Sequence, residues 1–163
     1  MHAVTDAKLA FRAIVSFAAL PGIVAGVIPW VIAWGQPHAE HAWILGMVVL
    51  VLGGIGLGWC VRDFFLAGRG TLAPWDPPRQ LVIVGLYRFV RNPMYLSVLL
   101  VVAGWGLFFG SWALATYAAV LAVGFHLRVV LHEERWLARQ FRDEWTRYTR
   151  EVARWMPKWP HDG

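Results

Sequence analysis

The side chains able to do chemistry sit at two points of an otherwise apolar chain. One is Gly85-Leu86-Tyr87-Arg88-Phe89-Val90-Arg91-Asn92-Pro93-Met94-Tyr95, just ahead of a long apolar run. Pro93 suits the first turn of a helix, where its missing N–H has no partner to lose. Asn92 before it is expected to cap that helix, which turns the positive end of the helix dipole toward Arg88 and Arg91. The other point is Glu133-Glu134, a little over one turn beyond Arg128. Adjacent helical residues project about 100° apart, so these carboxylates are not a paired acid–base dyad. The spacing predicts one facing Arg88 or Arg91 and the other meeting water. The same residues also read as a snorkelling basic anchor with an aromatic belt and as a solvated helix end.

The elements that must position them are membrane helices. Of the 163 residues, 58% are hydrophobic and 15% charged, too apolar for an ordinary soluble domain. Ala13 to Trp34 and Ala42 to Val61 contain no Asp, Glu, Lys or Arg, and Asn92 to Leu127 is equally uncharged; the first two match one span each and the third about two. All 15 Lys and Arg lie before Ala13, between Val61 and Asn92, or from Arg128 onward. By the positive-inside rule both termini and the central loop are cytoplasmic. The net charge of +5 then reflects topology and anionic lipid, with no need for nucleic acid. The expected fold is all-α: a polytopic membrane protein with four transmembrane helices and a cytoplasmic C-terminal amphipathic helix. Its single domain, 1–163, divides into two N-terminal spans (1–66) and a polar-ended half (79–157). No cleavage site is evident after the first span, which is expected to stay.

Pro21 and Pro29 predict a kink in span one, and Trp30, Trp34 and Trp43 an interfacial belt. His38, Glu40 and His41 form a polar connection that is expected to be solvated rather than metal-binding. Cys60 is the one cysteine, which excludes an intrachain disulfide or a multi-cysteine metal site. Gly53, Gly54, Gly56 and Gly58 predict close helix packing. Gly68 to Gln80 reads as a loop rich in Gly and Pro, and Leu81 to Val84 as a strand-like or extended piece. Span three runs from about Pro93 to Phe109 and span four from Trp112 to Leu131, joined by a tight hairpin at Gly110-Ser111. Beyond them Leu137, Phe141, Trp145, Tyr148, Val152 and Trp155 fall on one helical face among charged residues, and Pro157 is expected to end that helix.

The hairpin makes spans three and four antiparallel neighbours, so Arg91, Asn92 and Tyr95 should meet Arg128, Glu133 and Glu134 at the lipid–water boundary, with the aromatic tail as a lid. Such a pocket suits a zwitterionic, nucleoside-bearing cofactor and a substrate arriving from the bilayer.

The segment from Arg79 to Pro157 resembles the C-terminal half of the isoprenylcysteine carboxyl methyltransferase and phospholipid methyltransferase superfamily. The resemblance is carried by Leu81-Val82, Gly85, Tyr87 and Arg91-Asn92-Pro93-Met94-Tyr95. It continues through Gly104-Trp105-Gly106, Glu133-Glu134, and Trp145-Thr146-Arg147-Tyr148 to Val152, Arg154 and Pro157. It implies S-adenosylmethionine as cofactor. Arg79, Gln80, Leu81, Val82 and Tyr87 would line its nucleoside side. Asn92, Pro93 and Tyr95 would hold the methionine part or the adenosine, Glu133 or Glu134 a polar group, and Gly104 and Gly106 would give close access. Arg91 and Arg128 are the candidates for a catalytic role, Arg128 standing near the place where an arginine meets the substrate carboxylate in the eukaryotic carboxyl methyltransferases. Asn92 departs from the family's frequent histidine: it can donate and accept hydrogen bonds but carries no charge.

A sulfonium methyl is already activated, so a protein transferring it mainly aligns the reactants and excludes water. A carboxylate acceptor needs no base, whereas an ammonium must first lose a proton. His126 and His132 read as structural, which leans the reading toward an O- or S-nucleophile on a membrane lipid or lipophilic small molecule. The alternatives are an NADPH-dependent membrane reductase of the sterol reductase type and a non-enzymatic membrane partner protein.

Overall fold

The computed structural model describes residues 18–68 and 80–157. The basic lead with Lys8 and Arg12, the start of the first expected span, most of the proline-rich loop, and Arg79 lie outside them.

Helix α1 is π-wound over Ala18–Val27 and α-helical over Ile28–Ile32. Pro29 has no N–H to give the carbonyls four and five residues before it, those of Ala25 and Val24. Both are satisfied from other helices. The Trp105 indole N–H donates to the Ala25 carbonyl at 3.1 Å, and the Tyr117 hydroxyl to that of Val24 at 3.0 Å. Pro29 thus converts a helix defect into two tertiary hydrogen bonds.

Helix α2 is Trp43–Gly68 and α3 is Pro93–Phe109. Their seam is set by missing side chains. A Cβ on Gly46 would sit 2.3 Å from the Phe108 nitrogen, one on Gly53 2.7 Å from that of Val101, and one on Gly56 2.7 Å from the Ser97 hydroxyl. Gly104 answers from α3, where a Cβ would lie 2.6 Å from the Leu50 nitrogen. Gly54 and Gly58 have open space, so only part of the glycine run makes the contact. Leu57, Val98, Val101 and Val102 are buried along the seam, with Trp105, Tyr117 and Phe125 against them. Gly110, with φ 61°, closes α3 in the left-handed conformation that glycine takes without penalty.

Helix α4, Trp112–Arg128, runs through a π-wound turn, Val129–Glu133, into α5, Glu134–Glu151. A π-turn adds a residue to the ordinary helical turn and rotates the side chains beyond it; here those are the glutamate pair. α5 is broken at Arg142, whose φ of 39° is non-helical. The helix ends at Glu151, six residues before Pro157, because Val152 turns extended and the chain bridges across to another segment. Val152 and Trp155 therefore leave the helical face the sequence predicted for them. Leu81 to Val84 is extended without forming a strand; among the described residues there is no strand, only the parallel bridge Val90–Ala153.

Among the described residues two helical runs, Trp43–Phe64 and Trp112–Glu151, are long and apolar enough to cross a membrane; Pro21–Ile32 and Pro93–Phe109 are apolar but shorter. α2 leaves Ile44, Leu45, Leu52 and Ile55 exposed.

Candidate functional site

The polar ends of α3, α4 and α5 surround a cavity of about 810 Å³. Leu81, Val82, Tyr87, Arg91, Asn92 and Tyr95 line it from the first half of the polar stretch, and Arg128, Glu133 and Glu134 from the second. The rest of the lining includes apolar side chains, Pro21 and Val24 of α1, Val98 of α3, Phe125 of α4 and Val129. The volume lies in the range of small-molecule and cofactor sites, and an apolar pocket with a few convergent polar groups is their usual form.

The two glutamates carry different partners. The Tyr95 hydroxyl donates to Glu133, and Arg128 Nε donates to Glu133 Oε1 at 2.7 Å and to the Tyr95 oxygen at 3.1 Å. The Tyr95 ring also packs on Phe125 at 4.5 Å between centroids, so this corner offers an aromatic face beside a balanced charge pair. Glu134 is held by Arg154 in a two-pronged contact, Nε to Oε1 and Nη2 to Oε2, both 2.7 Å. Arg91 Nη1 adds a third contact at 3.0 Å. Glu134 thus faces Arg91, and Glu133 keeps a side chain 31% exposed. Both line the cavity, and both are paired.

Arg91 is the more enclosed of the two candidate catalytic arginines. Its guanidinium stands 5.6 Å from the Trp145 ring centroid, and its Nε is buried without a hydrogen-bond partner. Burial holds the Arg91 guanidinium below its ordinary range, with Glu134 pulling it up and Arg154 pushing it down. Tyr148 donates to the Tyr87 carbonyl at 2.7 Å, and burial raises both phenols above the usual tyrosine range.

Asn92 does not cap α3 with its side chain. Its Nδ2 donates instead to the Arg154 carbonyl at 3.2 Å, while the Arg91 backbone N–H donates to the Ala153 carbonyl at 2.9 Å. The segment after α5 thus competes for the asparagine and wins it from the cap. The Trp155 indole N–H donates to His126 Nδ1 at 3.1 Å, fixing the far end of that segment on α4. His132 lines the cavity beside the glutamates.

Four of the expected site residues do not line the cavity. Gln80 is exposed at the edge of the described chain, and Pro93 is buried in the first turn of α3. Gly104 faces Leu50 in the α2–α3 seam, and Gly106 has ordinary contact with Leu114. In the other direction, sequence reasoning misses Arg154, although its guanidinium is the closest partner of Glu134. The only sequence signal for it is its place in the tail motif. Asp63, which the sequence offers only as the end of a span, is 4% exposed, and its Oδ2 has no hydrogen-bond partner. A Cβ on Gly85, whose φ is 55°, would lie 1.9 Å from that oxygen. Among the described residues no three His, Cys, Asp or Glu side chains group as metal ligands.

A model of the phospholipid methyltransferase family matches residues 39–144, which includes α2, α3, α4 and both glutamates. Over 151 residues the chain is 30% identical to the cobalt-zinc-cadmium resistance protein CzcN of Cupriavidus metallidurans, covering 91% of this chain and 62% of that protein. It is 26% identical over 145 residues to the nickel-cobalt-cadmium resistance protein NccN of Alcaligenes xylosoxydans, covering 83% of this chain and 62% of that one. The chain therefore spans less than two thirds of the length of either relative.

Proposed function

From the premise that this chain belongs to the phospholipid methyltransferase family, we propose that it is an integral membrane enzyme that transfers a methyl group from S-adenosylmethionine to a lipophilic acceptor. In this reading α1 to α4 are four spans, the polar ends of α3 and α4 and both termini face the cytoplasm, and α5 lies at that surface. The observation that carries the reading is the cavity that Arg91, Asn92, Tyr95, Glu133 and Glu134 line together with apolar side chains.

The residues present fit such a donor. Tyr87, Trp145 and Tyr148 offer aromatic surface beside Leu81 and Val82 for a nucleoside. The Tyr95–Phe125 pair offers ring faces that attract a cation. S-adenosylmethionine supplies, when bound, a methyl group already activated by its sulfonium. The protein's part is positional. Glu133 and Arg128 hold the Tyr95 hydroxyl in one direction, and Glu134, clamped by Arg154, holds Arg91 over the Trp145 ring. The apolar lining excludes water from the acceptor's side, which favours transfer to a bound lipophile over loss to solvent.

The relatives' names tie them to resistance to cobalt, zinc, nickel and cadmium. On this reading the chain's share in such a phenotype would be covalent modification of a membrane component.

The test is calorimetric titration of the detergent-purified protein with S-adenosylmethionine, S-adenosylhomocysteine and NADPH. The expected result is binding of the first two, weakened at least tenfold by Tyr95→Phe or Glu133→Gln in samples with wild-type melting. Binding of NADPH alone would replace the methyltransferase with a reductase. Absence of all three from a folded sample would favour a non-enzymatic membrane partner.

A further inference from the structure

Four arginines and two glutamates line the cavity, an excess of two positive charges. Two of the arginines are spoken for, Arg91 by Glu134 and Arg128 by Glu133. The other two, Arg135 and Arg139, have no carboxylate partner among the described residues. They stand four residues apart on the first segment of α5, before the break at Arg142, and so share one helical face. Both are exposed while still lining the cavity, with Trp136 and Leu137 beside them. The same cavity is lined by the apolar side chains of Leu131, Phe125 and Val98.

Two unpaired guanidiniums one turn apart are a forked receptor for an oxyanion, and the apolar part of the lining suits a hydrocarbon chain. An ammonium headgroup would meet like charge there. We propose that Arg135 and Arg139 seat an oxyanion headgroup, carboxylate or phosphate, so that the acceptor enters this cavity as an anionic amphiphile. This rests on the reading of the cavity as the acceptor's entrance, and it names the acceptor's charge and the residues that select it.

The test is titration of the full chain in uncharged detergent micelles with single-chain amphiphiles of equal length: a fatty acid, a lysophosphatidic acid and a fatty amine. Inorganic phosphate serves as the soluble control. Wild type is compared with R135Q/R139Q and with R147Q/R150Q, which removes the same charge from positions of α5 that do not line the cavity.

The expected result is that one or both acids bind at least tenfold tighter than the amine, with carboxylate and phosphate separated by which acid binds tighter. R135Q/R139Q is expected to lose at least that factor, while R147Q/R150Q stays within twofold. Equal loss in both double variants would reduce the effect to general surface charge and overturn the seat. So would amine binding as tight as that of the acids, or inorganic phosphate binding as tightly as the lysophosphatidic acid. S-adenosylmethionine titrated into the same samples keeps the two readings apart. Wild type that binds the acids through Arg135 and Arg139 but not the donor would keep the seat and reject the methyl donor; the reverse pattern would reject the seat alone.

Discussion

The α2–α3 seam and the polar cluster at the foot of α3 and α4 are held together by opposite means. In the seam, glycines let two backbones touch, and what matters is the absence of atoms. In the cluster, Glu134, Arg91 and Arg154 join three segments through charge, and Tyr148, Asn92 and Trp155 add hydrogen bonds to Tyr87, Arg154 and His126. The seam tolerates no added volume but is indifferent to pH and salt. The cluster has room, an 810 Å³ cavity, and depends on protonation and pairing. A rigid apolar platform thereby carries a polar site whose parts can adjust to a ligand.

The largest expected effect lies in the seam. Gly104→Leu would drive a side chain into the Leu50 backbone, 2.6 Å from where its Cβ would stand. Overpacking against backbone should cost about 3 kcal/mol, seen as loss of the monodisperse detergent-purified protein and a lowered melting temperature at any salt concentration. Retention of wild-type melting would show that the two helices can separate freely, and the contrast with the cluster would collapse.

Next comes Glu134→Gln, which leaves Arg91 enclosed beside Arg154 with no countercharge. Removing one partner of a buried pair costs about 3–5 kcal/mol, and the one-third exposure of Arg154 reduces that here to roughly 2 kcal/mol. Glu133→Gln, whose partner Arg128 is half exposed, should cost under about 1 kcal/mol and act mainly on ligand binding. Melting curves of the two variants side by side decide the matter. Equal losses would deny the division between a structural and a ligand-facing glutamate.

These two effects also mark what the sequence could and could not tell. Uncharged windows and the Gly110-Ser111 break located the helices because length and charge are local properties. The motif Arg91 to Tyr95 and Glu133-Glu134 could be expected to share one cavity because both ends of a short hairpin must lie together. Partner choice was not legible. Nothing local says that Arg154 would chelate Glu134 or that the same segment would take Asn92 from its cap, since both depend on the chain turning back at Val152. The role of Gly104 was ambiguous for a related reason: a small residue beside a site suits ligand access and helix packing alike, and only its facing partner, Leu50, decides. The π-turn at Val129–Glu133 was invisible because one extra residue in a helical turn leaves no compositional mark.

A smaller effect tests the cluster's dependence on protons. Tyr148 donates to the Tyr87 carbonyl, and burial raises its phenol above the ordinary value near 10. A group raised in the folded state binds its proton more tightly there. Its stabilisation is intact below about pH 10 and is lost as pH climbs through the folded value. Tyr148→Phe should cost about 1 kcal/mol at neutral pH and flatten the alkaline limb of stability. Tyr87, raised in the same direction, keeps part of that slope. Melting temperatures from pH 7 to 11 give the comparison, and an unchanged limb would remove Tyr148 from the proton-linked set.

The smallest effect returns to the seam and should split two neighbours by sign. Gly53 and Gly54 are adjacent on α2, about 100° apart around the helix. A Cβ on Gly53 would lie 2.7 Å from the Val101 nitrogen, whereas one on Gly54 meets nothing within 4 Å. Alanine is the better helix former by up to about 1 kcal/mol, and it also narrows the unfolded ensemble. Gly54→Ala should therefore stabilise by about 0.5 kcal/mol, raising the melting temperature slightly. At Gly53 the same propensity gain is outweighed by backbone that would have to move, so Gly53→Ala should lower it. Both variants are measured in the same micelle, so the difference of sign isolates contact from propensity. Gains at both positions would mean that the α2–α3 approach is set elsewhere, by Gly46, Gly56 and Gly104.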